Sequence, residues 1–263
     1  MKKLGIPLRA LLLSALIASA ALAGCASAPV TQDGIEINDP FEAQNRRVHA
    51  FNKGLAARLS RGGEDVAARP APEPGAPIGP GQMLVNAGRN LSLPGKAVNG
   101  LLQGRPGRAG QNLVRFAVNS TVGLGGLFDP AADSFGVTEV DTDFGETLAV
   151  WGAPEGAYLE LPLIGPSTQR DAAGRVVDLL IDPINQIWSG RDLAAAWGLR
   201  VVSKAGDRAR MAASVDGMLQ ESADSYAQVR LIWLMNRRHE LGEERDVFDP
   251  YDDTSGVIDP YED

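Results

Sequence analysis

The N-terminal segment constrains this chain more than any other part of it. Three basic residues within the first nine precede an apolar run, rich in alanine and leucine, over residues 10–22. A short basic region followed by an apolar stretch of this length is typical of a secretory signal peptide, not of a membrane-spanning helix. The run ends in Leu-Ala-Gly-Cys at 22–25, where small residues admit a peptidase and the thiol can accept diacylglycerol. The sequence therefore predicts a signal peptide over 1–24 and a lipid anchor on Cys25.

The anchor predicts where the mature chain lies. One acyl chain gives only reversible membrane binding, whereas a bacterial lipoprotein cysteine typically carries three. The next residue is Ala26 rather than the aspartate that retains lipoproteins in the inner membrane, so we expect a protein lipid-anchored to the outer membrane on its periplasmic side. The alternative is an ordinary signal peptide with a cysteine there by chance.

The cysteine count and the charge exclude several classes of protein. Cys25 is the only cysteine, so no disulfide or thiolate metal site is available and the fold depends on packing. Loss of the three leader cations changes 25 basic residues to 22 against 33 acidic ones, a net charge of −11. This charge excludes a nucleic-acid binder that uses a basic surface and argues against electrostatic docking on anionic lipid. Any membrane contact must be apolar.

Composition divides the mature chain into three parts. Residues 25–37 are predicted to be a lipidated tether, 38–242 one helical domain, and 243–263 an acidic disordered tail. The tail holds nine acidic residues and one basic residue, a composition that cannot bury a core. It repeats an apolar-Asp-Pro-Tyr-acidic pattern at 248–253 and 258–263; the alternative to a functional motif is a solubilising tail with accidental repetition.

Helical spacing of apolar residues predicts most of the domain. Asp39 is expected to cap the first helix, with Pro40 as its first residue and Glu42 completing a capping box. A Gly- and Pro-rich loop follows over 61–81. Between 83 and 103, Leu93-Pro94-Gly95 is expected to break the chain into two helical pieces.

Further along the chain we expect a helix over 107–122, a short helix over 143–151 and an extended piece over 158–163. A helix beginning at Asp171 should kink at Pro183, and a long helix should span 192–220. The last helix should be capped by Ser222 or Asp224. No mature segment approaches ~18 consecutive apolar residues, the length that a spanning helix needs.

The helix predicted over 107–122 carries its polar residues in one narrow stripe, at steps of four, three and four: Arg108, Asn112, Arg115 and Asn119. The remaining arc is apolar. This pattern fits a core helix with a salt-bridged face or a helix immersed in lipid. The apolar turn that follows contains Gly123, Gly125 and Gly126, which either allow flexing or permit close packing.

The sequence offers no evident catalytic set. His49 and His239 cannot form a zinc site alone, and neither the metalloprotease motif nor the G-x-S-x-G elbow of lipases is present. Four carboxylates at 139, 141, 143 and 146 are expected to cap the helix that follows them. We therefore expect a protein that is not an enzyme, needs no metal or cofactor, and holds or conducts an apolar molecule.

The ordered motifs resemble the MlaA (VacJ) lipoprotein family over roughly residues 38–240. The opening matches the family pattern at Asp39, Pro40, Glu42, Asn45, Arg46, Phe51 and Asn52. Further matches follow in family order at 102–104, 115–123, 125–129, 143–148, 156–162, 165–171 and 182–183, and at 222–226 with Arg230. Ser225 stands where the family usually has proline.

The resemblance implies a mainly α fold, a ring of amphipathic helices around a central pore, in the inner leaflet of the outer membrane. It implies removal of mislocalised phospholipid from the outer leaflet through that pore. A soluble periplasmic lipid carrier would receive it for an inner-membrane ATP-driven transporter, and trimeric porins would be the outer-membrane partners. The resemblance favours a pore wall over a core face as the location of the polar stripe formed by Arg108, Asn112, Arg115 and Asn119. The rival hypotheses are a non-conducting scaffolding lipoprotein and a phospholipase without recognised motifs.

Overall fold

The structure, a computed structural model, describes residues 30–32, 35–60, 78–220 and 224–243. Helices dominate these ranges, which confirms the mainly α prediction. The elements in chain order are β1 (Val30–Gln32), β2 (Ile35–Ile37), α1 (Glu42–Ser60), α2 (Pro80–Leu102), α3 (Pro106–Thr121), α4 (Pro130–Asp133), α5 (Phe144–Val150), β3 (Tyr158–Leu161), β4 (Gly165–Thr168), α6 (Gln169–Ile181), α7 (Pro183–Ile187), α8 (Gly190–Gln220) and α9 (Ser225–Leu241).

The segment before α1 is partly paired backbone. β1 and β2 form an antiparallel pair with Val30 opposite Ile37, and Ile37 is buried against Tyr158, Tyr226 and Leu234. The second half of the predicted tether is therefore a hairpin attached to the domain, because Ile37 gains a place in an apolar cluster that a solvated linker would not offer.

The start of α1 differs from the predicted capping box. The helix begins at Glu42, and the Phe41 carbonyl accepts the N–H groups of Gln44 and Asn45. The Asp39 carboxylate accepts hydrogen bonds from side chains of α9 instead of capping the helix. Glu42 pairs with Arg46 one turn later, so it does not reach back toward residue 39.

Pro94 does not break the chain, and the predicted pair of short helices is one helix, α2, from Pro80 to Leu102. Proline removes a helical hydrogen bond and crowds the carbonyl four residues earlier. The Arg200 guanidinium of α8 donates to the nearby Leu91 carbonyl, and Leu91, Leu93 and Pro94 are all buried. The helix thus continues through a proline that lies in a buried and packed segment.

α2 packs against α3 on one side and α8 on the other. At Gly88 the backbone of α8 comes so close that a Cβ would lie 2.1 Å from the Leu199 carbonyl oxygen. Beyond this point a small apolar cluster of Leu91, Ile184 and Ala196 joins α2, α7 and α8. The absence of a side chain at 88 is thus what allows the two helices to approach.

Hydrogen-bonding side chains set most helix starts. Asp143, Thr168 and Asp224 accept backbone N–H groups at the first turns of α5, α6 and α9. Asp182 ends α6 and caps α7, so Pro183 starts a new helix instead of kinking one. Proline fits there because a first-turn N–H needs no helical partner.

Some predicted segments lie outside the described residues. These are the leader and the Cys25 anchor, the Pro-rich loop over 61–77, Ser222 and the tail from 244 onward. Residues 80 and 81, included in the predicted loop, belong to α2. Glu243, assigned to the disordered tail, binds Arg170 through both carboxylate oxygens at 2.6 and 2.9 Å and so belongs to the folded part.

Candidate functional site

The residues of the opening motif tie α1 to the rest of the domain. Asp39, almost fully buried, accepts hydrogen bonds from Asn45 at 2.8 Å and from Tyr226 and Arg230 of α9 at 2.5 Å. Asn45 also binds the β3 backbone in both directions, accepting from Glu160 N–H and donating to the Tyr158 carbonyl. These contacts make the motif a structural junction.

The remaining motif residues extend this junction at its surface. Arg46 makes two hydrogen bonds to Asp224, at 2.9 and 2.8 Å. Asn52 donates to the Leu161 carbonyl and accepts from the Leu163 N–H. Pro40 lies in the turn before α1, and Phe51 is exposed. None of these groups lines either of the two polar cavities described below.

The polar stripe of α3 faces protein, while the apolar arc faces outward. Asn112, Arg115 and Asn119 are buried, at 0, 4 and 3 % exposure, whereas Leu113 and Val114 are about half exposed, at 48 and 51 %. This polarity is opposite to that of a helix on the surface of a water-soluble domain. An apolar surrounding on the outer side of α3 would account for it.

Each buried stripe residue binds the segment that follows the helix. Asn112 exchanges two hydrogen bonds with the Val140 backbone, at 2.9 and 3.1 Å. Arg115 pairs with Asp129 at 2.7 Å and donates to the Val137 carbonyl. Asn119 donates to Asp129 at 2.8 Å. These polar groups therefore bind protein atoms, and the expectation that the stripe lines a wet lumen stays a prediction.

The fourth stripe residue, Arg108, behaves differently. Its side chain is half exposed and lies 3.5 Å from Glu146, which also pairs with Arg105. Glu146 therefore neutralises cations of the α2–α3 connection and of α3. Asp143, the expected cap, does cap α5, whereas Glu139 and Asp141 bind Lys96 of α2 instead.

The glycine turn after α3 is closely packed at two of its three glycines. A Cβ at Gly126, where φ is +90°, would meet the Asn90 side chain at 2.5 Å. A Cβ at Gly123 would meet the carbonyl oxygens of Asn119 and Phe128 at 2.5 and 2.6 Å. Gly125, at φ +74°, faces open space. These distances favour the close-packing interpretation of this turn over the flexible one.

An open polar cavity lies between α2, α8 and the segment before α5. Its volume is about 320 Å³, within the lower range of small-molecule sites. Its lining, which includes neither an aromatic nor an aliphatic side chain, consists of Arg89, Ser92, Lys96, Glu139, Asp141, Ser203 and Lys204.

A second, much narrower cavity continues the polar interior toward α3. Arg89 and Glu139 line both cavities, and Arg115, Asn119 and Asp129 line the narrow one. Its volume of about 10 Å³ accommodates roughly one water molecule. Two of the predicted lumen residues, Arg115 and Asn119, therefore line a narrow cavity that shares two residues with the open one, and other residues line the open cavity.

Sequence reasoning missed the α2 residues of the cavity. Arg89, Ser92 and Lys96 recur at steps of three and four, the spacing of one helical face. Because a helix break is expected at Pro94, Lys96 is assigned to a different helical piece from Arg89 and Ser92. In one continuous helix the three residues share a face, and this spacing predicts a polar stripe.

A buried hydrogen-bond network continues from α2 to α5 and α6. Gln103 donates to Thr142 and Thr147, Thr147 donates to Asn99, and Asn99 donates to Asp178 at 2.7 Å. Burial raises the pKa of Asp178, while the hydrogen bonds from Asn99 and the Phe144 N–H act in the opposite direction. The interior between these helices is thus specified by polar contacts.

The exterior of the same helices is apolar. Val122 and Leu124 follow the exposed arc of α3, and further exposed apolar side chains lie on other elements: Leu101, Phe135, Trp151, Val176, Leu180, Ile187, Trp197 and Val201. Soluble monomers rarely expose so many large apolar groups together with a polar interior. Across the described ranges, no helix combines the length and hydropathy that a bilayer crossing requires.

One row of side chains resembles the order of a catalytic triad and so concerns the phospholipase hypothesis. It consists of Ser225, His49 and Glu160. Ser225 Oγ is 3.5 Å from His49 Nε2, and His49 Nδ1 is 3.6 Å from Glu160 Oε1. Both distances exceed those of a working nucleophile–base pair. Glu160 accepts the Tyr158 hydroxyl at 2.6 Å, and Lys53 donates to Ser225. Within the described ranges no cluster of His, Cys, Asp and Glu could hold a metal.

The described residues define a mainly α-helical protein that buries many polar side chains and exposes many large apolar ones. The family model described as MlaA lipoprotein matches residues 37–240. The chain belongs to this family.

Known relatives span most of the chain. It is 29 % identical to the intermembrane phospholipid transport system lipoprotein MlaA of Haemophilus influenzae, over 88 % of this chain and 90 % of that protein. It is 32 % identical to the protein of the same description from Escherichia coli K12, over 84 and 83 %. A solved structure described as the structural basis for maintenance of bacterial outer membrane lipid asymmetry matches with a TM-score of 0.60 at 26 % identity, over 77 % of this chain and 98 % of that one.

Proposed function

We propose that this protein is an outer-membrane lipoprotein that removes mislocalised phospholipid from the outer leaflet. In this proposal the lipid passes through a central amphipathic pore to a periplasmic lipid carrier, which maintains outer-membrane lipid asymmetry. The observation that carries it is the polarity of α3, with Asn112 and Arg115 buried and Leu113 and Val114 exposed. The names of its relatives, which are lipoproteins of an intermembrane phospholipid transport system, support the same reading.

The arrangement suits a passage for lipid head groups. An apolar exterior contacts acyl chains without needing positive charge, each buried Å² contributing ~25 cal/mol. A polar interior accepts a head group that hydrocarbon would exclude. Passage then requires no bond to be made or broken, so a catalytic set is not needed. A ring of helices around the polar path is the proposed form of this arrangement.

Outer-leaflet phospholipid in cells lacking the protein is the direct test. We expect it to rise, and to return to normal when the gene is restored. A Val114→Lys variant separates a conduit from a scaffold, because a cation in the apolar arc is costly only where lipid surrounds it. Gln111→Lys, on the side of α3 where Gln111 donates to the Thr138 carbonyl, is the matched control. Normal outer-leaflet lipid in cells without the protein would reject the proposal.

A scaffolding lipoprotein and a phospholipase remain the rival functions. Phospholipid that co-purifies with the mature protein in detergent supports the conduit over the scaffold. Release of free fatty acid from added phospholipid, abolished by Ser225→Ala, would instead identify the row of Ser225, His49 and Glu160 as catalytic. We expect co-purified lipid and no such release.

The anchor and partners belong to the same proposal. Cys25→Ala should leave the protein soluble or as an uncleaved precursor, because the thioether to diacylglycerol cannot form. A variant that still matures and sediments with outer membranes through high-salt washing would contradict this anchor. A soluble periplasmic carrier and trimeric porins are the proposed partners, to be tested by crosslinking in cells.

A further inference from the structure

The open cavity described above carries charges of both signs in separate positions. Arg89, Lys96 and Lys204 supply three cations, and Glu139 and Asp141 supply two anions. The hydroxyls of Ser92 and Ser203 complete the lining. A site for a simple anion would not need carboxylates at its wall, because they repel that ligand. The lining therefore fits a small ligand that is itself both positive and negative.

Lys96 connects the two charge groups. Its ammonium donates to Glu139 and lies 2.5 Å from Asp141. Its side chain is 12 % exposed and that of Glu139 is 22 % exposed, whereas that of Asp141 is 79 % exposed. Burial opposes the charge of Lys96, but Asp141 and Glu139 outweigh it and raise the Lys96 pKa. Lys96 in turn lowers the pKa of Asp141, so this ion pair is charged near neutral pH, and Asp141 is its accessible carboxylate.

We propose that this cavity binds a phosphate diester that bears a primary ammonium group, the chemistry of a phosphoethanolamine head group. The ammonium group lies at Asp141, and the phosphate lies between Lys204 and Arg89 and accepts from the Ser203 hydroxyl, since the Ser92 hydroxyl donates to the Gly88 carbonyl. This assignment rests on the proposed function for its lipid source, and names the head group that the polar path prefers.

Each competing ligand lacks an N–H group that can donate to Asp141. A trimethylammonium group has no N–H to donate to Asp141, so it loses the charge-assisted hydrogen bonds of a primary ammonium. A glycerol head group supplies the phosphate but no ammonium group to donate to Asp141. Free phosphate has the same deficit. We expect the primary ammonium diester to bind at least tenfold more tightly than each of these three.

Binding to the purified mature lipoprotein in detergent tests the assignment. The probes are glycerophosphoethanolamine, glycerophosphocholine, glycerophosphoglycerol and inorganic phosphate, each titrated by calorimetry. The expected result is a preference for the first of these. Equal affinity for all four would overturn the proposal, and inorganic phosphate binding as tightly as glycerophosphoethanolamine would identify a phosphate site instead.

Asp141→Asn and Lys204→Gln locate the preference in this cavity. Both side chains are exposed, so both variants are expected to fold. Asp141→Asn should reduce glycerophosphoethanolamine to the affinity of the choline analogue, and Lys204→Gln should weaken both probes. Asp133→Asn, an exposed carboxylate of α4 outside the lining, is the matched control and should change neither. An Asp141→Asn variant that keeps its preference would overturn the proposal.

This test is independent of the transport assay. If cells lacking the protein keep normal lipid asymmetry but the purified protein distinguishes the head groups, the proposed function fails and the site stands. If asymmetry is lost and the purified protein shows no preference, the function stands and the site assignment fails.

Discussion

Gly88→Ala tests the close approach of α2 and α8. A Cβ there would lie 2.1 Å from the Leu199 carbonyl oxygen and 2.7 Å from the Ser203 Cβ, far inside ordinary contact. The nearest atom belongs to the backbone of α8, so no side-chain rotation relieves the clash and the helices must separate. Overpacking of this kind costs up to ~3 kcal/mol, and alanine returns ~1 kcal/mol through helix propensity.

The net expectation is a loss of about 2 kcal/mol. For a domain of this size, 1 kcal/mol shifts Tm by roughly 2–4 °C, so Gly88→Ala should lower Tm by about 4–8 °C. The measurement is thermal unfolding of the mature protein in detergent, followed by circular dichroism. Gly198→Ala is the matched control, because it lies in α8 with nothing within 4 Å of its Cβ. That variant should hold or raise Tm.

The result also bears on the cavity. α8 contributes Ser203 and Lys204 to its lining, so separation of the helices should weaken glycerophosphoethanolamine binding as well. A Gly88→Ala protein with a Tm at or above that of the parent would refute the reasoning, since it would show that α2 and α8 do not approach as described.

Three further predictions concern other contacts. Asn112→Leu should lower Tm and cost a few kcal/mol of unfolding free energy, because it leaves the part-buried N–H and carbonyl of Val140 without their Asn112 partners; an unchanged Tm would argue that the stripe serves passage rather than packing. Gly126→Ala should reduce abundance on immunoblots more than Gly125→Ala, because only Gly126 would clash with a neighbouring side chain in addition to its positive φ; equal abundance would contradict this. The pKa of Asp224 is lowered to about 2 by the hydrogen bond from Arg46, so this pair stabilises the fold fully above about pH 4, the ordinary aspartate value, and loses its effect as the pH falls toward 2. Arg46→Ala should raise that pKa in a carbon-13 NMR titration, and no change would reject the pairing.

The sequence determined the class of fold and the family of this protein. Helical spacing predicted α1, α3, α8 and α9, because a helix buries one face whatever its partner is. Short-range capping fixed the starts at Asp143 and Asp224, since a cap depends on residues within one turn. The ordered motifs sufficed for the family, which the comparison over residues 37–240 shows.

Tertiary structure decided which groups face one another. The same polar stripe fits a wet lumen or a buried seam, and only the position of the segment at 137–140 shows that Asn112 and Arg115 are occupied by protein. Pro94 lies within one continuous helix, in a buried segment where Arg200, more than 100 residues away, donates to the Leu91 carbonyl. Lys96 contacts Asp141 at the wall of the open cavity, and the two residues are 45 positions apart in the chain, beyond the reach of any local sequence pattern. Helical spacing is a property of near neighbours, whereas these contacts join residues that only the packing of helices brings together.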